Sequence, residues 1–242
     1  MNIAAVIVAA GSSVRMGGGG KKEYLPLPPQ AGVSVPPQSV LGAAFSAFAS
    51  DPRILTIVVV HPVKAEIGET AARKAIGAPR LSGYKGELFF IPGGGCRRAS
   101  VRNALFLLDA PGEERPDLVL IHDGARPWVD NALISRVIDA AIEHGAAIPT
   151  LPCSETPKEL DDDGAFVRRH LARSRFSLAQ TPQGFHFSKI LEAHRRAEEL
   201  FLAEGGEWTD DGEIYGAFVG RVAAVPGDVR NKKITFREDV RN

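Results

Sequence analysis

Three cations, Arg15, Lys21 and Lys22, lie within one glycine-rich stretch, Ala9-Ala10-Gly11-Ser12-Ser13-Val14-Arg15-Met16-Gly17-Gly18-Gly19-Gly20-Lys21-Lys22. Glycine lets main-chain N–H groups approach an anion closely, and arginine and lysine add charge-assisted hydrogen bonds. A triphosphate fits such a loop. Two phosphate-binding patterns fail on spacing. A dinucleotide fingerprint needs glycine in its third place, where Ser13 stands; a P-loop needs glycine at Arg15 and a hydroxyl residue at Lys22. The same residues also fit a plain connection with solvated lysines, and composition leaves both readings open.

The elements that must carry this loop alternate in type. Short, nearly continuous apolar runs at Ile3 to Ala9, Ile54 to Val60, Glu87 to Ile91 and Leu118 to Ile121 read as strands buried on both faces. Between them, three sets of residues recur at helical spacing: Val40, Ala44, Phe45 and Phe48; Val101, Ala104, Leu105 and Leu108; Leu133, Val137, Ile138 and Ala141. This order predicts one α/β domain over 1–242, with a mainly parallel, Rossmann-like sheet flanked by helices. In such sheets ligands gather outside the carboxyl ends of the strands, and the first such end opens directly into the glycine-rich loop.

Ser188 to Glu204 predicts a further helix, and Phe218 to Val225 a late strand. Pro152 to Ser177 breaks the rhythm, because Asp161-Asp162-Asp163-Gly164 is a turn signal between two short extended runs. The stretch reads as a β-hairpin arm over about 152–177. An arm with no core of its own needs a surface to pack on, which predicts a second subunit; the plainer reading is a solvated excursion.

Composition narrows the classes. At 242 residues, 44% apolar and 24% charged, the chain is neither disordered nor fibrous. Its 29 basic and 29 acidic residues give a formal net charge of zero, so no basic field invites nucleic acid. Cys96 and Cys153 supply neither a disulfide framework nor a zinc pattern, and a reducing cytoplasm is the simplest compartment. No apolar run approaches the ~20 residues of a membrane span, and the opening Met1-Asn2-Ile3-Ala4 lacks the charge of a secretory signal.

Taken with later segments, the loop resembles the start of the cytidylyltransferases that activate 2-C-methyl-D-erythritol 4-phosphate in the non-mevalonate isoprenoid pathway. The marks are Ala9-Ala10-Gly11 through Arg15-Met16, Lys22 to Leu25, Gly93 to Val101 with Arg97 and Ser100, and His122-Asp123-Gly124-Ala125-Arg126-Pro127. Thr156-Pro157-Lys158, Gln180 to Phe185, Thr209-Asp210-Asp211 and Asn231 to Thr235 follow in the same order. The resemblance implies a nucleotidyltransferase-type fold and transfer of CMP from CTP to a polyol phosphate, with Mg²⁺ as cofactor and release of pyrophosphate. A phosphate nucleophile is already anionic, so the chemistry asks for preorganised cations rather than a base.

By that resemblance Arg15, Lys22 and Lys233 are the catalytic cations, and Ala10, Gly11, Ser12 and Ser13 wrap the phosphates. Gly94, Gly95 and Ser100 meet cytosine and ribose, and Asp123 borders the nucleotide as well as the acceptor. Asp123, Arg126, Thr156, Arg175, Thr181, Thr209 and Asp210 lie toward the acceptor. Thr156 and Arg175 reach the site of a partner subunit, which makes a homodimer part of the mechanism. No protein ligand for the metal is implied.

Ordinary readings stand beside these. Asp123 and Arg126 also fit a structural ion pair, His122 fits packing at a strand end, Lys21 fits a solvated neighbour, and Thr209 or Asp210 fits a helix cap. Three departures from the family pattern stand out: Gly-Ser-Ser for Gly-x-Gly, Lys21-Lys22-Glu23-Tyr24 for Pro-Lys-Gln-Tyr, and Ser174 where Asp is usual. The acceptor leaves a sister activity on ribitol 5-phosphate open. A non-catalytic nucleotide-binding regulator is the reading from another class.

Overall fold

Four strands arise where the apolar runs predict them: β1 (Ile3–Val8), β2 (Ile54–His61), β3 (Glu87–Pro92) and β4 (Leu118–Asp123). The computed structural model describes residues 1–11, 21–28, 38–112 and 114–240, so Ser12, Ser13 and Arg15 lie outside the described residues. β1 runs parallel to both β2 and β4, and β2 runs parallel to β3. Along β1 the side chains alternate between two cores. Ile3, Ala5 and Ile7 join one and Ala4 and Val6 the other, as a strand covered on both faces requires.

The first core is closed by α1 (Val40–Ala49), α2 (Glu69–Ile76) and α5 (Asn131–His144), and the second by α4 (Arg97–Leu108), α6 (Phe187–Glu204) and α7 (Asp211–Phe218). A short α3 (Ala78–Gly83) separates α2 from β3. Every residue of the three predicted helical faces is buried. Ser39 and Asp130 cap α1 and α5, accepting from the backbone N–H of Gly42 and Leu133.

The rest of the sheet is β5 (Ala146–Pro152), β8 (Ser177–Ala179), β9 (Gln183–His186) and β10 (Ala223–Pro226). The strand order is β10-β5-β9-β4-β1-β2-β3, with β8 paired to β5. β9 is antiparallel to both neighbours and β8 is antiparallel to β5, so the sheet is mainly rather than wholly parallel. The chain steps from β1 outward to β3 and returns to β4 on the other side of β1, which puts a topological switch point between β1 and β4.

The predicted late strand is shorter than Phe218 to Val225. Asp210 caps a helix whose last residue is Phe218, and that ring packs on Trp208 at 5.4 Å between centroids; only Ala223–Pro226 extends. The hairpin forms as the turn signal predicts, from β6 (Lys158–Leu160) and β7 (Val167–His170) around Gly164 at φ 70°. Its strands make a separate two-stranded sheet, with Leu160, Phe166 and Val167 exposed.

Candidate active site

A pocket of about 410 Å³ opens at the switch point, lined among others by Ala10, Gly11, Lys22, Gly94, Gly95, Arg97, Ser100, Asp123 and Lys233. Three of its walls are the carboxyl ends of strands. Ala10 and Gly11 follow β1, the Gly93-Gly94-Gly95 turn follows β3, and Asp123 ends β4. Glycine is required in that turn by close approach. A Cβ on Gly93 would strike Ala10 Cβ, and one on Gly94 would sit 2.5 Å from Ala99 Cβ, whereas a Cβ on Gly95 meets nothing within 4 Å among the described residues beyond its chain neighbours. Ser100 ties the turn to α4, accepting from Gly94 N–H at 3.0 Å and donating to Cys96 O at 2.9 Å.

Asp123 is the electrostatic centre. Lys233 Nζ is 2.7 Å from its Oδ2, Arg97 Nε donates to its Oδ1 at 3.2 Å, and Arg126 Nε stands 3.9 Å away. Burial opposes ionisation here, but Arg97 and Lys233 outweigh it and hold the carboxyl well below the usual carboxylate range. The strand end is fixed from behind. Asp123 N–H donates to Thr181 Oγ1 at 3.1 Å, and the same hydroxyl meets His122 Nδ1 at 3.1 Å. Asn231 Nδ2 donates to Thr181 O at 2.8 Å, and Arg126 Nη1 donates to Asn231 O at 2.8 Å.

The structure thus gathers Ala10, Gly11, Lys22, Gly94, Gly95, Ser100, Asp123 and Lys233 around one pocket. Arg126 and Thr181 stand behind it, bracing Asp123. Thr209 and Asp210 do not line it. Asp210 caps α7 by accepting from Glu213 N–H at 2.8 Å, and Thr209 binds the Glu213 carboxylate at 2.7 Å, the helix-cap reading. Thr156 and Arg175 are exposed and also lie outside the lining of this pocket.

His122 is wholly buried and hydrogen-bonded, in keeping with a packing role at the strand end. Lys21 is not a solvated neighbour. It is buried, donates to the carbonyl of Gly11, and pairs with Glu23 at 3.0 Å, because an ammonium enclosed this deeply needs a compensating charge. Arg97 and, behind it, Asp211 and His194 had no place among the predicted site residues, although Arg97 and Asp211 fall inside two of the quoted motifs.

A family model described as 2-C-methyl-D-erythritol 4-phosphate cytidylyltransferase matches residues 3–242. The bifunctional enzyme IspD/IspF of Nitrobacter winogradskyi is 39% identical over 239 residues, covering 98% of this chain and 53% of that protein. Its counterpart in Rhodopseudomonas palustris is 41% identical over 238 residues, with 98% and 53% covered. The chain therefore spans about half the length of the curated relatives it matches. Among solved structures, the 2-C-methyl-D-erythritol 4-phosphate cytidylyltransferase of Thermus thermophilus superposes with a TM-score of 0.70 at 31% identity, over 99% of this chain and 96% of that one. The 4-diphosphocytidyl-2C-methyl-D-erythritol synthase of Anaerococcus prevotii gives 0.74 at 27% identity, over 98% and 92%. With a pocket at the switch point and the family match running almost end to end, this chain belongs to the 2-C-methyl-D-erythritol 4-phosphate cytidylyltransferase family, a family of nucleotidyltransferases.

Proposed function

We propose that this chain transfers CMP from CTP to 2-C-methyl-D-erythritol 4-phosphate, giving 4-diphosphocytidyl-2-C-methyl-D-erythritol and pyrophosphate for isoprenoid precursor synthesis. The observation that carries this reading is the meeting of Lys22 and Lys233 in the lining of one pocket beside the Gly94-Gly95 turn. An oxygen of the acceptor phosphate attacks the α-phosphorus of CTP. The bond from that phosphorus to the bridging oxygen breaks, and pyrophosphate leaves with the electron pair. No proton has to be removed from the nucleophile. The barrier lies in bringing two polyanions together and in the charge that grows on the α-phosphate and the leaving group, which fixed cations relieve.

In this reading Lys22 and Lys233, with Arg15, hold the triphosphate and the developing charge, and the backbone of Ala10, Gly11, Ser12 and Ser13 follows the phosphates. Gly94, Gly95 and Ser100 border cytosine and ribose. Because the Ser100 proton is committed to Cys96 O, its hydroxyl offers the nucleotide an acceptor rather than a donor. Asp123, braced by Thr181 and Arg126, orders Lys233 between nucleotide and acceptor. Thr156 and Arg175 come from the arm of a second copy, Thr209 and Asp210 shape the α7 end of the acceptor side, and the working unit is a cytoplasmic homodimer.

Mg²⁺ is part of the proposal. Among the described residues no three His, Cys, Asp or Glu side chains group as a cage, while the Asp123 carboxylate faces the pocket and is held ionised. With Lys233 and Arg97 on its two oxygens, Asp123 would meet an ion through water, which fits an ion brought in on the nucleotide phosphates and keeping most of its shell. Bound there, it neutralises phosphate charge. Among the described residues no helix is long and apolar enough to cross a membrane.

Pyrophosphate release measured with CTP and each acceptor tests the assignment. Turnover with 2-C-methyl-D-erythritol 4-phosphate is expected, lost on chelation and restored by Mg²⁺. Preference for ribitol 5-phosphate would overturn the acceptor, and bound CTP without turnover on any acceptor would favour the regulatory reading.

A further inference from the structure

From Arg97, which lines the pocket beside Asp123, a chain of charge runs back into two fully buried residues that the reaction as described does not use. Arg97, the first residue of α4, donates from Nε to Asp123 and from Nη1 to Asp211 Oδ2 at 2.7 Å. Asp211, the first residue of α7, is fully buried, and its other oxygen faces His194 Nε2 at 3.1 Å. His194, on α6, is also fully buried, and its Nδ1 has no hydrogen-bond partner among the described residues. Burial disfavours the Asp211 carboxylate, yet Arg97 and His194 outweigh it and keep the acid below its ordinary range. An ionised carboxylate only accepts, so His194 carries its proton on Nε2.

Stability alone does not account for this arrangement. A buried ion pair is often no better for folding than apolar residues of the same volume. A guanidinium at the first position of α4 also stands at the positive end of a helix dipole, so something must hold it there. What Asp211 achieves is geometric. With its Nη1 committed to Asp211, Arg97 reaches Asp123 through Nε on Oδ1, while Lys233 occupies Oδ2 at 2.7 Å. Without the Asp211 charge, the planar fork of Arg97 is free to turn both its donors onto Asp123, the geometry guanidinium–carboxylate pairs favour. That would displace the Lys233 ammonium.

We propose that Asp211 and His194 are positioning residues for catalysis: they hold Arg97 to one oxygen of Asp123 and so reserve the other for Lys233. The proposal rests on the reading of Lys233 as a phosphate-facing cation. It ties the seating of that cation to the α6–α7 layer of the fold.

A double-mutant cycle tests it, with pyrophosphate release from CTP and 2-C-methyl-D-erythritol 4-phosphate as the readout and thermal melting confirming that each variant is folded. Asp211→Asn keeps the shape and removes the charge. It is expected to lower kcat roughly 10²-fold, the scale of a misplaced catalytic group, with a smaller change in KM for CTP. Because the loss runs through Lys233, Asp211→Asn combined with Lys233→Ala should be no worse than Lys233→Ala alone.

Additive losses in the two variants, or a fall in melting temperature with kcat retained, would overturn the proposal. Should Asp211→Asn not fold, His194→Gln, which keeps a side-chain donor, enters the same cycle; it should cost less, and it should cost nothing once Lys233 is gone. An additive effect there overturns the idea equally. Failure of the underlying reading would look different, since Lys233→Ala by itself would then leave turnover intact.

Discussion

Lys22 donates through Nζ to the carbonyl oxygen of Ile234 at 2.8 Å, a contact that spans 212 positions of the chain. Ile234 in turn donates its N–H to Ala125 O at 2.9 Å, just past the end of β4. The late segment is therefore pinned between the residue that follows the glycine-rich loop and the loop that follows Asp123. Lys233, one residue before Ile234, inherits its place from both contacts.

Removing either lysine ammonium should consequently cost transition-state stabilisation directly. Lys22→Ala and Lys233→Ala are each expected to lower turnover roughly 10²- to 10³-fold, the scale for deleting one preorganised donor, and Arg15→Ala should do the same. Steady-state pyrophosphate release decides the matter. Near-full activity in any of the three removes that residue from its assigned role.

Much of this was legible in the sequence, and for identifiable reasons. β1, β2 and β4 are buried on both faces, so apolar runs marked them; β3 is marked by its run too, but it ends the sheet and is half-exposed rather than buried on both faces, and helices with one apolar stripe marked themselves by spacing. β5 escaped because Pro149 and Pro152 argue against a strand, yet Pro149 forms part of the ladder with β10. β9 escaped because it is four residues long and holds Gly184, where a Cβ would come within 2.9 Å of Val137. The pocket residues that follow strands could be read from position. Asp211 and His194 could not, because nothing in sequence spacing says that two residues 17 positions apart on successive helices are hydrogen-bonded behind a pocket.

The glycine turn after β3 offers a second test, since Gly94 and Gly95 differ in what surrounds them. A methyl at Gly94 would sit 2.5 Å from Ala99 Cβ and 3.0 Å from Ala99 backbone carbon, so Gly94→Ala must push α4 from the turn. The expected cost is about 1–3 kcal/mol of stability, the range for overpacking. A methyl at Gly95, which lines the pocket, meets nothing within 4 Å among the described residues beyond its chain neighbours. Gly95→Ala should leave urea unfolding unchanged and weaken CTP binding. Calorimetric titration with CTP beside denaturation curves separates the two. Equal behaviour of the two variants would mean that the turn does not border the nucleotide.

Acid should destabilise the protein through His122. Burial pushes its pKa down from 6.5 to about 4, against the hydrogen bond to Arg126 O. The unfolded chain takes up this proton near pH 6.5 and the native state holds it off until about pH 4. The contribution of the neutral ring is thus complete above pH 6.5 and is lost as pH falls through that window, by about 3 kcal/mol at 1.36 kcal/mol per unit. Asp123 and Asp211, whose carboxyls are depressed, add losses of the same sign at lower pH, below the ordinary carboxylate range. His122→Gln should flatten the upper part of the curve and spare the lower. An unchanged slope of urea-derived stability between pH 6.5 and 4.5 would rule His122 out as the source.

The arm carries the last prediction. Thr156 and Arg175 are exposed and lie outside the pocket lining of their own chain, and in the proposed dimer they serve the site of a second copy. Thr156→Ala and Arg175→Ala should therefore raise KM for the acceptor far more than for CTP, because the nucleotide walls all come from one chain. The sharper experiment mixes two impaired proteins, at an acceptor concentration too low for the Arg175→Ala site to turn over. Arg15→Ala spoils the nucleotide half of a site and Arg175→Ala the acceptor half, so a mixed dimer contains one site with both defects and one with neither. Random reassortment makes mixed dimers half of the population, each with one intact site, so activity should return to roughly a quarter of the wild-type level. No recovery, with subunit exchange verified by native mass spectrometry, would mean that each chain completes its own site and that the hairpin serves some other purpose.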